Sequence, residues 1–215
     1  MPTRRSVLNA VGLAGVAGLA GCTGTEDASG DETTGRTPPA DAVGRVRVAG
    51  RVDQPDLPVE PRVSAVDPFV TSETTAVLRV DVDNTTSNPV TLGEYRGVVF
   101  QYAHSESDDY VLLPHSERST EAPPERSPAD VETAGGADCW RLASRVVTTD
   151  EYGTVEIPAD GTLTAFVGAY TVTDARSCLS TGEHAFESTY SVDPLDEETP
   201  DERDSWGFTL SVEEL

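Results

Sequence analysis

The chain contains no lysine. All 15 of its basic residues are arginine, set against 38 Asp and Glu, so the formal net charge is −23 over 215 residues. It is also poor in sulfur and in rings, with three Cys, one Met and 6% aromatics. Each scarcity excludes something. Phosphate contacts need a basic patch and none is visible, so no nucleic-acid partner is expected. The only Met is the first residue, so a thioether ligand for copper is lost if the start of the chain is removed. No apolar run reaches the ~20 residues that a membrane-spanning helix needs. GxSxG, HExxH, CxxC and phosphate-binding glycine loops are all absent. His104, His115 and His184 stand in no nucleophile context and read as surface or strand-end residues. The chain is therefore expected not to be an enzyme and to need no cofactor.

What the chain has in excess is acid, spread along its whole length and interleaved with strand patterns. That favours a folded domain with an acidic surface over a disordered tail. Such a surface repels itself until salt screens it, and near 1 M salt the Debye length falls to ~3 Å. A folded, lysine-free domain this acidic resembles haloarchaeal proteins.

The N-terminus reads MPTRRSVLNAVGLAGVAGLAGC. Arg4-Arg5 precedes an apolar run from Val7 to Ala20, which fits the core of a signal peptide and is too short to span a bilayer. Thr3-Arg4-Arg5-Ser6-Val7-Leu8 resembles a twin-arginine export signal. Leu19-Ala20-Gly21-Cys22 resembles a lipobox, which implies cleavage after Gly21 and a lipid on Cys22. The resemblance is to a haloarchaeal, twin-arginine-exported lipoprotein, lipid-anchored in the cell membrane and facing the extracellular side. One lipid chain anchors only marginally, so permanence implies two chains or a partner. Loss of 1–21 removes Arg4 and Arg5 and no acid, making the mature chain more negative still.

Residues 22–42 lack periodicity and are rich in Thr, Gly, Asp, Glu and Pro, which marks a flexible acidic stalk. From 43 to 215 the patterning has period two, and nine strands are expected. They lie around Arg45–Val52, Leu78–Asp83, Gly97–Tyr102, Tyr110–Leu113, Trp140–Val146, Val155–Ile157, Leu163–Val172, Phe186–Val192 and Trp206–Val212. Gly97–Tyr102 is apolar on both faces and reads as a central strand, and Leu163–Val172 is apolar on both faces as well. Alternation elsewhere implies two packed antiparallel sheets, with turn residues at Pro158-Ala159-Asp160-Gly161. The order of strand, IPADGT, strand, CLSTGEHAFE and strand resembles the end of Ig-like domains in haloarchaeal lipoproteins. The fold class expected is thus all-β, an Ig-like antiparallel β-sandwich. A Pro- and acid-rich insertion at 114–138 and an acidic loop at 193–205 interrupt it.

If Cys22 carries lipid, Cys139 and Cys178 remain, an even number in an oxidising compartment, and a disulfide between them is expected. Closing a ring of about 40 residues would contribute ~4 kcal/mol. The alternation around Trp140 and the turn around Cys178 point to a loop-to-loop staple rather than a bridge through the core. Asn84-Thr85-Thr86 is an N-glycosylation sequon in an apparent turn. Asp81, Asp83 and Asn84, and Asp193, Asp196, Glu197 and Glu198, are the candidate calcium ligands, although Asp81-x-Asp83-Asn84 lacks the glycine of an EF-hand loop and a solvated acidic surface is the favoured account of such clusters. Cys178 and His184 bear a faint likeness to a cupredoxin ligand loop, with the wrong spacing. Arg45, Arg47 and Arg51 form the one local basic stripe, suited either to gripping a partner's carboxylates or to cross-strand pairing. These features make the expected function a non-catalytic binding or structural module of the cell envelope. Its partners would be the membrane, through the lipid, and an envelope protein or glycan, met by the 114–138 insertion and the loop 174–183. The alternative is a metal-binding (calcium or copper) or redox surface protein.

Overall fold

The computed structural model describes residues 36–50, 52–95, 99–115, 131–133, 140–142, 144–146, 152–193 and 202–215. These are strands and their connections. Six strands form one antiparallel sheet in the order β10 (Tyr152–Ile157), β5 (Val90–Tyr95), β12 (Gly182–Val192), β13 (Glu202–Glu214), β1 (Gly44–Ala49) and β3 (Phe69–Val70). The second sheet runs β2 (Val59–Asp67), β4 (Val77–Asn84), β11 (Thr162–Thr171), β7 (Tyr110–Pro114) and β6 (Ala103–His104). Two further strands, β8 (Val131–Thr133) and β9 (Trp140–Leu142), pair with each other, and β9 joins β11 through one parallel contact, Thr171 with Arg141. The protein is all-β, built of two antiparallel sheets.

Alternation sorts the side chains as the period-two reading requires. On β4, Leu78, Val80 and Val82 are fully buried, whereas Arg79, Asp81 and Asp83 stay on the outer face. On β13, Trp206, Phe208, Leu210 and Val212 point inward. Residues from both sheets share one continuous core. Within it Phe100 meets Trp206 and Phe208 edge to face, at 4.7 and 4.8 Å between ring centroids. Such pairs add to simple burial because ring edges and faces carry opposite partial charge. The turn at Pro158–Gly161 falls where the sequence placed it, with Gly161 N–H donating to Pro158 O at 2.9 Å.

The inner strands β7 and β11 are buried on both faces. Tyr110 and Leu112 of β7, with Ala165, Val167 and Ala169 of β11, enter the main core. Their neighbours Val111, Leu113, Tyr170 and Val172 form a second apolar cluster on the outer face, beneath Leu142 of β9 and with Trp140 and Val146 packed against it. The β8–β9 pair contributes Leu142 and Trp140 to that face, beside Tyr102, Val146 and Ala175. It occupies the lane along β11 that β4 leaves past Gly168, where Trp140 Nε1 donates to Thr71 O at 3.0 Å. Gly168 is bare because the Tyr170 ring lies over it; a Cβ there would come within 2.7 Å of that ring.

Several expectations are corrected. The apolar stretch Gly97–Tyr102 is not a central strand. Residues 99–102 form a bend and turn, with left-handed φ at Val99 (70°), Phe100 (60°) and Tyr102 (60°), while 96–98 lie outside the described residues. The stretch is apolar because Val99 and Phe100 plug the core, at 1% and 0% exposure, and not because it pairs. Five strands escaped the sequence reading, the short β3, β6 and β8 and the longer β2 and β5. β2 carries Pro61 and belongs to an edge, the place in a sheet that tolerates proline, and β5 has a glycine and a glutamate where apolar residues would announce a strand. Within the 114–138 insertion, Val131–Thr133 forms β8. Residues 36–42, assigned to the stalk, hold to the body: Arg36 Nη1 donates to Val66 O at 2.8 Å, and Ser72 Oγ to Asp41 Oδ2 at 3.2 Å. The signal segment 1–21 and Cys22 lie outside the described residues, among which no helix is long and apolar enough to cross a membrane.

The expected Cys139–Cys178 disulfide is not shown, because Cys139 lies outside the described residues. Among the described residues no disulfide joins two cysteines. Cys178 is itself a bonded cysteine, but Cys22 and Cys139 both lie outside those residues. The contact that the structure does show at this loop is a hydrogen bond, from the Thr171 hydroxyl to Cys178 O at 2.7 Å.

If the outer face of β7 is a true second core, Leu113→Ala will cost about 2–5 kcal/mol, as for a buried leucine. An open surface position would cost about 0.5 kcal/mol or less. Urea unfolding in molar salt measures the difference, and a loss of the smaller size would show that the β8–β9 cover is not formed.

Candidate functional site

One end of the two sheets gathers three connections: 71–76 before β4, 105–109 between β6 and β7, and 172–181 between β11 and β12. They are locked by buried polar contacts. The Tyr110 hydroxyl donates to Ser180 O and accepts from Ser180 N–H, both at 3.0 Å. Burial raises the Tyr110 hydroxyl to about 12, so it remains a donor. Val172 N–H donates to Asp109 O at 3.0 Å, and the Thr75 hydroxyl donates to Ala169 O. Loops held this way are preorganised, which lowers the entropy lost when they meet a ligand.

His184 sits at the centre of this end, 4% exposed, with the Tyr110 ring edge-on at 4.7 Å. Its Nε2 lies 2.9 Å from Ser180 O and its Nδ1 lies 3.1 Å from Ser107 Oγ. A carbonyl can only accept, so in the neutral ring Nε2 carries the proton and Nδ1 presents its lone pair to Ser107. The direction is fixed from the other side too. Ser105 Oγ accepts from the N–H groups of Asp109 and Tyr110, at 3.2 and 3.1 Å, which fills both its lone pairs. Its own proton therefore points to Ser107 Oγ, 3.2 Å away, and Ser107 must donate onward to His184. Asp109 Oδ2 lies 4.0 Å from His184 Nδ1. Ser105 and His184 are buried, and Ser107 is the exposed end of the chain.

Beside it opens a cleft of ≈ 220 Å³ with an apolar floor of Leu142, Val146 and Val172. On its rim stand two ion pairs, His104 Nδ1 with Asp108 Oδ1 at 2.8 Å and Arg145 Nη2 with Asp174 Oδ2 at 2.5 Å.

A second buried polar group lies on β5. Glu94 is 2% exposed, and its Oε2 accepts Phe100 N–H at 3.2 Å, with Val99 N–H and the Ser188 and Tyr190 hydroxyls close by. Of these neighbours, the Tyr190 hydroxyl makes no hydrogen bond of good geometry among the described residues. Burial raises the carboxyl to about 7, against the smaller opposing effect of its hydrogen-bond donors. Glu94 thus holds the left-handed segment 99–102 against the core. Left-handed residues other than glycine cost roughly 1–3 kcal/mol each and persist only where the surroundings enforce them.

The residues singled out from sequence are dispersed rather than gathered. Arg45 and Arg47 both pair with Glu213 Oε1 across the strand register, at 3.3 and 2.8 Å, and Arg45 also covers the Phe69 ring at 5.0 Å. Arg51 lies outside the described residues. Asp81 accepts from the Thr164 hydroxyl and pairs with Arg79, while Asp83 accepts from Thr162 and pairs with Arg62. Asp193, at φ 53°, accepts Thr91 N–H at 2.9 Å on the opposite end of the sheets, and Asp196 lies outside the described residues. No three His, Cys, Asp or Glu side chains converge as a metal site would require, among the described residues. Asn84 is 4% exposed. Its Nδ2 donates to the carbonyls of Asn88, Ile157 and Pro158, and its Oδ1 accepts from Thr86 N–H and the Thr86 hydroxyl. A glycan on that nitrogen would replace one of its two donated hydrogens at a buried site, whereas in the folded chain Asn84 serves as a turn keystone. His184 and His115 stand at strand ends, one of the two places expected for them, and are buried there. Sequence reasoning missed Ser105, Ser107 and Tyr110 as partners of His184 because some 75 residues separate them in the chain. The only local sign was the short polar turn SESDDY between strands.

The Glu94 carboxyl gives a pH dependence of definite sign. Its ordinary value is 4.5 and its folded value about 7, so between these the folded chain holds a proton that the unfolded chain releases. Its contribution is fully present below about 4.5, declines as pH rises, and is lost above about 7, a span of ~3 kcal/mol. Glu94→Gln should flatten this decline and unfold at higher urea than the parent chain at pH 8, with little difference at pH 4.5. Parallel pH profiles for the two proteins would show that Glu94 ionises in the fold as it does in water.

No known family pattern matches the chain, and no curated protein matches it in sequence.

Proposed function

We propose that the chain is a binding module displayed at the cell envelope. The sequence supplies the address: an export signal, lipid on Cys22 and a tether ending near residue 36, with the domain facing outward as an Ig-like sandwich. The observation that carries the binding role is the loop end. The 105–109 and 172–181 connections are fixed to each other through Ser107, Tyr110, Ser180 and His184 before any partner arrives, and with Leu142, Arg145 and Val146 they line a cleft. A rigid scaffold that offers preorganised loops at one end is the usual way in which β-sandwiches recognise partners. The arginine stripe is a poorer contact surface, because Arg45 and Arg47 are engaged by Glu213. The partner is an envelope protein or a glycan, met by the loop 172–181 and the insertion that precedes β8.

Two measurements test this. The intact mass of the chain taken from its own membranes should begin at Cys22 and carry lipid; a chain that starts at Met1 without lipid would remove the anchor. A photoreactive side chain at Arg176, exposed in the loop, should form a discrete adduct with an envelope component in living cells at native salt. The same group at Glu187, exposed on the opposite sheet, should not. Equal adducts from both positions, or none from Arg176, would overturn the loop end as the contact surface.

A further inference from the structure

We propose that Ser107 is a base-activated nucleophile, with His184 as its general base, and that it takes up acyl groups from esters with good leaving groups. This goes beyond the binding role and does not depend on it, since it rests on different contacts and a different readout.

Three features set Ser107 apart from an ordinary turn serine. The first is direction. Ser105 accepts two backbone N–H groups and so must donate to Ser107, while Ser180 O forces the proton of neutral His184 onto Nε2. With both ends fixed, the Ser107 proton points at the Nδ1 lone pair, the ground-state arrangement of an activated nucleophile and its base. The second is rigidity. The imidazole is buried, held at Nε2 by a carbonyl and flanked edge-on by Tyr110, so it keeps one orientation without solvent competition. A carbonyl in this place orients the ring as a carboxylate does in the better-known triads. The third is charge. Asp109 Oδ2, 4.0 Å from Nδ1, is placed to stabilise the imidazolium that forms when the proton moves. Ser107 itself is exposed, on a turn closed by Asp108 N–H to Ser105 O at 2.9 Å and kept tight by the left-handed Asp108 (φ 56°).

The step balances without a cofactor. Ser107 Oγ forms a bond to the ester carbonyl carbon as its proton passes to His184 Nδ1. The tetrahedral adduct collapses, the carbon–oxygen bond to the leaving group breaks, and the alkoxide or phenoxide takes the proton from His184. Water then attacks the acyl-serine, giving its proton to Nδ1, and the acid and free Ser107 are released. The geometry supplies a nucleophile and a base, which favours aryl and other activated esters, whose leaving groups depart with little help.

The test uses the full chain in molar salt with a fluorophosphonate probe and with p-nitrophenyl acetate. Native protein should gain one phosphonyl adduct that maps to Ser107 and should release nitrophenolate in a burst of one equivalent. Ser107→Ala should abolish both. His184→Gln should slow both by about 10²-fold or more, the usual contribution of a general base. Because His184 is buried, Asp109→Asn provides a second variant that keeps the fold, and it should slow labelling several-fold. The proposal is overturned if native Ser107 labels no faster than in the urea-unfolded chain, if the adduct maps elsewhere, or if both the His184 and the Asp109 variants label at the parental rate.

Discussion

A sheet whose inner strands are apolar on both faces has to be covered twice. β7 and β11 impose that constraint, since Val111, Leu113, Tyr170 and Val172 point away from the main core and are nonetheless buried. One face is closed by the opposite sheet. The other meets Leu142 and Trp140 of β9, which reads from sequence as the start of a strand and pairs with β8 inside the expected insertion. Each buried aliphatic or aromatic side chain contributes roughly 1.5–3 kcal/mol, so the cover is part of the fold and not an ornament on it. By anchoring β9 at the end of β11, the cover also brings Leu142, Arg145 and Val146 to the rim of the loop cluster. The candidate site exists because the second core is there.

Buried polar groups organise what the apolar core cannot. Asn84 ties the turns at one end of the sheets, and Ser180, Tyr110 and His184 tie the loops at the other. Between them Glu94 clamps a left-handed segment where the chain passes from β5 in one sheet to β6 in the other. A buried polar group left unpaired costs roughly 1–3 kcal/mol, so networks of this kind select one arrangement of loops from the many that the apolar pattern would allow. In the cluster of Ser105, Ser107 and His184, the same demand for satisfaction gives the hydrogen bonds one consistent direction when the ring is neutral.

The abundant acid tells a different story on the outer faces. Arg62 with Asp83, Arg79 with Asp81 and Arg145 with Asp174 are exposed pairs, each worth little in stability. Their effect is to neutralise locally a surface that is negative everywhere else. Asp81 and Asp83, which looked like calcium ligands, are occupied by Arg79, Arg62 and threonine hydroxyls, and Arg45 and Arg47, which looked like a partner's grip, by Glu213. Clusters drawn from so biased a composition arise without any ligand to explain them.

The sequence by itself determined the class of the fold and the address expected for it. Period-two alternation on β4, β12 and β13 needs only neighbours in the chain to be read, and the leader and lipobox patterns are local strings. Where alternation failed, tertiary contacts had overruled it. Val99 and Phe100 are apolar because they plug a core, Glu94 is polar on an inner face because it caps that plug, and β2 tolerates Pro61 because an edge strand has free positions. The loop end was illegible for a related reason. His184 meets Ser107 and Ser180 only after β12 has docked beside β13 and the 172–181 connection has folded back onto Tyr110. Spacing along a chain carries no record of such a meeting. Hydrophobic periodicity is a property of neighbours in sequence, whereas a directed hydrogen-bond network is a property of neighbours in space, and only the packed sheets decide who those are.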